Sequence, residues 1–415
     1  MKSAITTVSV KSTESIWQKI ILGMLQKMNK GYMELSLPNG EMLAWGDGSY
    51  PVHAKVTIHN NEFFRRCMLY GDVGFGECYV DKVWDTPDVT KVISWFLLNV
   101  DQAPSISGSS ARTWIVNFLK VINLVSDARK SNTLTGSKKN ISVHYDLNNE
   151  FFSLFLDPTM TYSSAYFKHS EMSLEDAQYE KYKALADRVK LRSDDHVLEI
   201  GTGWGGNAIF MAKHYGCKVT TTTISEEQYK LAVERVQREG LSDKITVLLK
   251  DYRELEGSYD KIVSIEMLEA VGHKFLEKYF SKCYSLLKKD GLLGIQVITC
   301  PDSRYDDLKK GVDWIQKHIF PGSLLPSIGA INNAVNKTSD MTLVNLEDFG
   351  LHYGKTLRHW FDAFNENWHQ IKALGFDEAF RRKWNYYLCY CEAAFNHRNI
   401  HVMQMVYSRP NNLRW

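Results

Sequence analysis

The feature that most constrains the fold is a glycine-rich loop between a buried strand pattern and a helix pattern. Gly201-Thr202-Gly203-Trp204-Gly205-Gly206 follows the run His-Val-Leu-Glu-Ile at 196–200 and precedes Asn-Ala-Ile-Phe-Met-Ala-Lys. Further strand patterns lie at 217–224, 245–249, 261–265 and 292–298, with helical patterns between them. Strands that alternate with helices in this way indicate a parallel, doubly wound α/β sheet.

The glycine loop has more than one possible ligand. Its spacing satisfies G-x-G-x-x-G, a dinucleotide fingerprint that also needs an acid about 20 residues later. Positions 220–223 are all threonine, and the acid precedes the loop instead, as Glu199. The pattern Glu-x-Gly-x-Gly resembles S-adenosylmethionine-dependent methyltransferases. The loop alone leaves a methyltransferase, a dinucleotide enzyme and a purely structural turn open.

Composition excludes several classes of function. The 415 residues carry 50 Lys+Arg and 48 Asp+Glu, a net charge of +2, so no bulk charge attracts nucleic acid. The seven cysteines form no C-x-x-C pair, which argues against a metal site or a disulfide framework and favours a reducing compartment. The N-terminus lacks an apolar signal-like core, and apolar runs of about 18 residues are absent. We therefore expect neither secretion nor insertion into a bilayer.

Changes in composition divide the chain into three parts. Residues 1–110 predict a small α+β domain, 111–139 a helix and linker, and 140–415 the α/β domain. Polar, aromatic-rich helical segments near 302–385 interrupt the α/β rhythm and suggest a lid over the substrate. The predicted helix 112–129 has one apolar side, which either packs on its own domain or lies at a membrane surface.

Several segments together resemble the cyclopropane-fatty-acyl-phospholipid synthase family. They are His144-Tyr145-Asp146-Leu147, 161–167, 223–228, Glu-Met-Leu-Glu-Ala-Val-Gly at 266–272, 319–327, 352–360 and 391–395. These segments span about residues 140–410 in the family's order. The resemblance implies a Rossmann-like class I methyltransferase domain, with the N-terminal domain handling lipid. It also implies methyl transfer from S-adenosylmethionine to the double bond of an unsaturated phospholipid acyl chain, which becomes a cyclopropane.

The implied reaction passes through a carbocation, and a base must remove a proton as the ring closes. An unactivated alkene is a poor nucleophile, so the site must also align the reactants and exclude water. The family is thought to use a bound bicarbonate ion as the base. By resemblance its ligands here are Glu269, Ile298 and Tyr353, with two departures from the family pattern. Ser164 stands where the family usually has a cysteine. Gln296 stands where bacterial members have a histidine, and this glutamine resembles plant-type members.

Further residues are assigned by the same resemblance. Cys391 lies in a segment once thought to carry the family's active cysteine, although an apolar helix face favours an inert thiol. His144 could touch the acyl pocket or only close the linker over it. The residues expected to bind S-adenosylmethionine are Tyr162, Ser163, Glu199, Gly201, Gly203, Gly205, Thr223, Ile224, Gln228, Asp251 and Tyr252. Among them Tyr252 is a candidate to stack on adenine.

Other functions remain open on the sequence. The same scaffold could make methyl or methylene branches on acyl chains, methylate a small-molecule amine, or bind lipid without catalysis. The retained Glu269, Ile298 and Tyr353 argue against a non-catalytic protein, and the long N-terminal part argues against a small soluble substrate. We expect a cytoplasmic homodimer that associates reversibly with the membrane surface, acts on unsaturated phospholipids and binds no nucleic acid.

Overall fold

The computed structural model describes residues 15–100 and 148–413. The predicted helix and linker at 111–139 and His144 lie outside these residues. Within the described ranges, no helix is both long and apolar enough to cross a membrane.

The N-terminal residues fold around a small sheet of their own. Pro38-Asn39-Gly40 turns the chain between its first two strands, and Gly40 has the positive φ of 87° that glycine allows. The sheet has the strand order β2-β1-β3-β4. The elements are α1 (Ile16–Leu25), β1 (Tyr32–Ser36), β2 (Met42–Trp45), β3 (His53–Ile58), α2 (Glu62–Val80), β4 (Trp84–Asp85) and α3 (Val89–Leu98).

The residues from 148 onward form the predicted alternation of helices and strands. The first half comprises α4 (Asn149–Ser153), α5 (Leu174–Arg188), β5 (His196–Ile200), α6 (Gly206–Tyr215), β6 (Lys218–Thr223), α7 (Glu226–Arg238), β7 (Ile245–Leu249) and β8 (Tyr259–Ile265). The second half comprises α8 (Leu268–Val271), α9 (Leu276–Leu286), β9 (Leu287–Thr299), α10 (Asp302–Leu308), α11 (Trp314–His318), α12 (Ile328–Thr338), β10 (Thr342–Asp348), α13 (Gly350–Glu366), α14 (Trp368–Ala373), α15 (Glu378–Asn396) and β11 (His401–Ser408).

The large sheet has the strand order β10-β11-β9-β8-β5-β6-β7. Strands β5 to β9 pair in parallel, whereas β11 pairs antiparallel with both β9 and β10. This confirms the predicted α/β class and adds an antiparallel edge. The prediction of helices throughout 302–385 is wrong at Thr342–Asp348, because this polar segment pairs with β11 as the edge strand. Whether the rest of that range acts as a lid stays a prediction.

The N-terminal residues share one hydrophobic core with the helices of the α/β part. Trp84 and Trp95 belong to the same buried cluster as Phe151, Trp360 and Trp384. Polar bonds cross the same junction: Glu392 on α15 accepts hydrogen bonds from Thr90 on α3 at 2.9 Å and from Arg358 on α13 at 2.6 Å. The two parts are therefore packed together as one body, with α15 between them.

Candidate active site

The glycine-rich loop joins β5 to α6 and forms one wall of an internal cavity of about 1150 Å³. Gly201, Gly203 and Gly205 have φ angles of 101°, 51° and 88°, a region that glycine enters without steric cost. No protein atom lies within 4 Å of the place where a Cβ on Gly203 would stand. A ligand in the cavity therefore has room to approach the backbone there.

Glu199 and Gly205 hold the loop in shape. Glu199 is buried, and its two carboxylate oxygens accept hydrogen bonds from Asn207 Nδ2 at 2.8 Å and Thr221 Oγ1 at 2.6 Å. Burial raises the pKa of Glu199 to about 7. Gly205 caps α6 and lies outside the cavity lining, with Ala232 on α7 only 3.4 Å from a would-be Cβ. Both residues support the cofactor loop, and direct contact of Glu199 with the cofactor stays a prediction.

The other residues predicted to bind the cofactor meet at one end of the sheet. Tyr162, Ser163, Thr223, Ile224, Gln228, Asp251 and Tyr252 all line the same cavity as Gly201 and Gly203. The carboxyl ends of neighbouring parallel strands lie at one edge, which is where doubly wound sheets bind ligands. The contacts of these residues with S-adenosylmethionine stay predictions.

Two of these residues are held in fixed positions by their neighbours. Asp251 forms a two-pronged ion pair with Arg253, whose Nε and Nη2 lie 2.8 Å and 2.7 Å from the carboxylate oxygens. The Tyr252 ring meets the Tyr279 ring edge to face at 5.3 Å. The predicted adenine-stacking ring is therefore oriented by the protein itself.

Glu266 directly follows β8. It accepts hydrogen bonds from three residues that were predicted to lie at the bicarbonate site. Its Oε1 accepts from the Ser164 backbone N–H at 2.9 Å and from Gln296 Nε2 at 2.8 Å. Its Oε2 accepts from the Tyr353 hydroxyl at 2.7 Å. Burial raises the pKa of Glu266, and the nearby Lys181 ammonium and these three donors oppose that rise.

The direction of the Gln296 bond is fixed by a chain of donors. Arg188 can only donate, so the Gln404 side-chain oxygen must face it. Gln404 then donates from Nε2 to Gln296 Oε1 at 3.0 Å. This leaves the Gln296 amide nitrogen to donate to Glu266. Gln296, predicted to lie at the bicarbonate site, is therefore a donor whose acceptor is a carboxylate of the chain.

Glu269, on the short helix α8, is bonded through only one of its oxygens. Oε1 accepts from the Ile298 backbone N–H at 2.5 Å, while Oε2 is buried without a partner among the described residues. Burial, and then the charge of Glu266, raises the pKa of Glu269 to about 8. At neutral pH the Glu269 side chain is therefore mostly a neutral acid.

The residues predicted to hold bicarbonate do not fit that ion in this arrangement. Ser164 and Gln296 lie outside the cavity lining, and together with Tyr353 they donate to Glu266. The Ile298 N–H donates to Glu269. These donors are already matched with carboxyl groups of the chain, and a further anion beside the Glu266 carboxylate would be repelled.

A buried lysine balances the charge of this cluster. Lys181 on α5 is fully buried and donates from Nζ to Ser163 Oγ at 2.7 Å. Burial lowers the pKa of Lys181 to about 8, and Glu266, Asp157 and Glu199 oppose that fall by attraction. Sequence analysis missed Lys181, because nothing in an ordinary helical pattern marks it. It also passed over Glu266, although the quoted motif at 266–272 begins with this acid at a strand end.

Aromatic rings form the cavity wall near Glu266. The Tyr353 ring stacks on Phe395 at 4.5 Å, and the Tyr387 ring meets Phe320 at 5.8 Å. The hydroxyl groups of Tyr387 and Tyr162 lie 2.8 Å apart. Aromatic faces can stabilise a developing cation without reacting with it.

Cys391 lines the cavity, but its environment does not favour a nucleophile. Burial raises the pKa of the Cys391 thiol well above its usual range, so the reactive thiolate is disfavoured. In the described ranges, no group of His, Cys, Asp and Glu side chains is arranged to hold a metal ion.

Comparisons with known proteins identify the family of this chain. The model of the mycolic acid cyclopropane synthetase family matches residues 132–405. Cyclopropane-fatty-acyl-phospholipid synthase of Escherichia coli is 38% identical over 375 residues, which cover 89% of this chain and 91% of the relative. Tuberculostearic acid methyltransferase UfaA1 of Mycobacterium tuberculosis is 36% identical over 376 residues, covering 87% and 86%.

A solved structure of the same kind supports the cofactor. Mycolic acid cyclopropane synthase CmaA1, crystallised with SAH and CTAB, superposes with a TM-score of 0.60 at 31% identity, covering 66% of this chain and 98% of that one. SAH is the product that S-adenosylmethionine leaves after giving up its methyl group. The chain belongs to the mycolic acid cyclopropane synthetase family, and it is an S-adenosylmethionine-dependent methyltransferase.

Proposed function

We propose that this protein transfers a methyl carbon from S-adenosylmethionine to the double bond of an unsaturated phospholipid acyl chain and forms a cyclopropane. The observation that carries the proposal is the extent of the cavity. One continuous space reaches from Gly203 past Glu266 and Tyr353 to apolar side chains of the N-terminal part. Among these are Met24, Leu35, Val56, Phe63 and Phe96. An apolar passage of this kind suits a long acyl chain better than a small soluble amine.

The residues of the cavity provide what the reaction needs. The π electrons of the alkene attack the methyl carbon as the bond from that carbon to sulfur breaks, which leaves a carbocation on the chain. The surrounding protein keeps the reactants aligned and water out. Aromatic rings such as those of Tyr353 and Tyr387 stabilise the cation. A base then removes a proton from the new methyl group, and the ring closes.

A methyl-branched product is the second candidate. The relative named tuberculostearic acid methyltransferase covers most of this chain at 36% identity. The two outcomes share the cation. Loss of a proton from the new methyl group with ring closure gives the cyclopropane, whereas loss of a proton from a neighbouring chain carbon gives a methyl-branched alkene. The Glu266 carboxylate lines the cavity, and prompt loss of a proton from the new methyl group to a base there gives the cyclopropane.

The substrate implies contact with a membrane surface. Helix α1 carries Ile16, which is 66% exposed, and Ile20, which is 37% exposed and also lines the cavity. Apolar side chains at the mouth of an acyl passage support peripheral and reversible binding. Flotation with vesicles of unsaturated phospholipid should recover the protein, and Ile16→Glu should reduce recovery. Assembly as a homodimer stays a prediction, which sedimentation in solution would test.

One experiment tests the function directly. The purified protein is incubated with vesicles of unsaturated phospholipid and methyl-labelled S-adenosylmethionine, and the acyl chains are analysed by mass spectrometry. A labelled chain that gains one CH₂ and loses its double bond supports the cyclopropane. A labelled chain that keeps a double bond or carries a methyl group supports branching. Absence of label in every lipid tested would contradict both.

A further inference from the structure

We propose that the Glu266 carboxylate is itself the base that removes the proton from the new methyl group, so that this protein needs no bound bicarbonate. The inference rests on the proposed function, because it concerns the last step of that reaction. It starts from the observation that Ser164, Gln296 and Tyr353 donate their hydrogen bonds to the carboxylate of Glu266, a side chain of the protein itself.

The three donors define a site for a planar anion. They come from distant parts of the chain, namely the segment after α4, strand β9 and helix α13, and they meet at one carboxylate. Gln296 cannot turn its amide around, because Gln404 and Arg188 fix its direction. Preorganised donors of this kind hold a charged group in place without reorganisation during the reaction. The arrangement therefore serves the carboxylate of Glu266.

The backbone also indicates that Glu266 is placed for function. Its φ angle is 49°, a left-handed conformation that costs a non-glycine residue energy unless its surroundings impose it. The Glu266 N–H donates to the Gln296 carbonyl at 2.8 Å, which ties the strained turn to strand β9. This turn lies at the carboxyl end of β8, at the same edge of the sheet as the glycine loop.

The carboxylate keeps one acceptor position for the proton. Two oxygens offer about four lone-pair positions, and protein donors of the described residues occupy two at Oε1 and one at Oε2. Glu266 lines the cavity, so the remaining position at Oε2 is the one available to the substrate. Burial raises the pKa of Glu266, and the nearby Lys181 ammonium and the donors of Gln296, Ser164 and Tyr353 oppose that rise by stabilising its charged form.

The step balances without a further reactant. Methyl transfer produces S-adenosylhomocysteine and the acyl carbocation. Glu266 Oε2 takes one proton from the new methyl group, and the two electrons of that C–H bond form the last bond of the ring. The product is the cyclopropane beside a neutral Glu266 acid, which releases its proton to solvent before the next turnover.

Two variants and the bicarbonate requirement test the inference. Glu266→Gln keeps the size of the side chain but cannot take up a proton, so turnover should fall on the order of 10²-fold. The remaining product should contain a smaller share of cyclopropane, since the cation must lose its proton elsewhere. Parent turnover in CO₂-free buffer should match turnover with added bicarbonate. Glu277→Gln is the matched control, since Glu277 is exposed and pairs with Lys337 at the surface.

Glu266→Gly gives an independent check. Glycine suits the positive φ, and removal of the side chain leaves the donors of Ser164, Gln296 and Tyr353 without their carboxylate. Added bicarbonate should raise turnover of this variant at least tenfold and should not affect Glu266→Gln, whose amide still fills the site. If the glycine variant fails to fold, the turnover of Glu266→Gln and the bicarbonate dependence of the parent still test whether Glu266 is the base.

The outcomes separate this inference from the proposed function. Labelled cyclopropane made by the parent only when bicarbonate is present would overturn the role of Glu266 and leave the function intact. Turnover of Glu266→Gln within threefold of the parent would also overturn the role of Glu266 and leave the function intact. A parent that labels no unsaturated lipid would instead overturn the function on which the inference rests.

Discussion

Glu269, just after the end of β8, contributes a pH dependence of stability that its substitution should remove. Burial and the neighbouring charge of Glu266 raise the pKa of Glu269 from 4.5 to about 8. Since the folded state holds this proton more tightly than the unfolded chain, the contribution to stability is full below pH 4.5 and is lost as the pH rises towards 8. The interval is roughly 3.5 pH units, and each is worth about 1.4 kcal/mol. The loss is therefore at most about 5 kcal/mol.

Glu269→Gln should abolish this loss. The amide oxygen can still accept the Ile298 N–H, and the amide has no proton to release. The thermal midpoints of parent and variant should be similar near pH 5. The variant should become progressively more stable than the parent up to about pH 8, by several degrees. Glu277→Gln on the exposed face of α9 is the control and should show no such trend. A difference between Glu269→Gln and the parent that is constant with pH, or that shrinks as pH rises, would show that Glu269 does not keep its proton in the folded protein.

Three further substitutions test other parts of the site and fold. Gly203→Val should abolish S-adenosylmethionine binding in calorimetry, because the valine side chain would occupy the open space beside the loop, and the circular dichroism spectrum should be retained. Gly240→Val is the control and should bind normally, since Gly240 also has a positive φ and no protein atom near a would-be Cβ. Tyr353→Phe removes one buried hydrogen bond to Glu266, worth ~1–3 kcal/mol, so turnover should fall about tenfold with unchanged cofactor affinity. Gly76→Val should lower stability by about 1–3 kcal/mol in chemical denaturation, since a Cβ there would stand 2.5 Å from the Trp314 ring; an unchanged midpoint would mean that α2 does not pack on α11 as described.

The shared core also affects how the N-terminal part should be studied. Deleting the first 100 residues would expose the face of α15 that packs against α2 and α3. Loss of activity in such a truncation would then reflect lost packing as much as lost lipid handling. Single substitutions on exposed positions, such as Ile16→Glu on α1, separate the two effects.

Local sequence was sufficient for most of the α/β framework. Strands β5 to β9 and the intervening helices follow the predicted order, because short apolar runs bounded by turn residues and longer amphipathic runs have distinct patterns. The glycine loop was recognisable since the positive φ angles at Gly201, Gly203 and Gly205 favour that residue type. The family motifs also brought Ser164, Gln296 and Tyr353 into one group.

Tertiary structure decided which group those donors bind and which segments complete the fold. Strand β10 was missed because a polar edge strand is stabilised by its pairing with β11 and not by its own pattern. Sequence spacing does not show where a side chain points across a sheet. The hydrogen bonds from Ser164 and Gln296 to Glu266 therefore could not be predicted from the sequence. The roles of Lys181, Gln404 and Arg188 arise only when distant elements pack together, because burial makes each unpaired polar group costly and so fixes its partner.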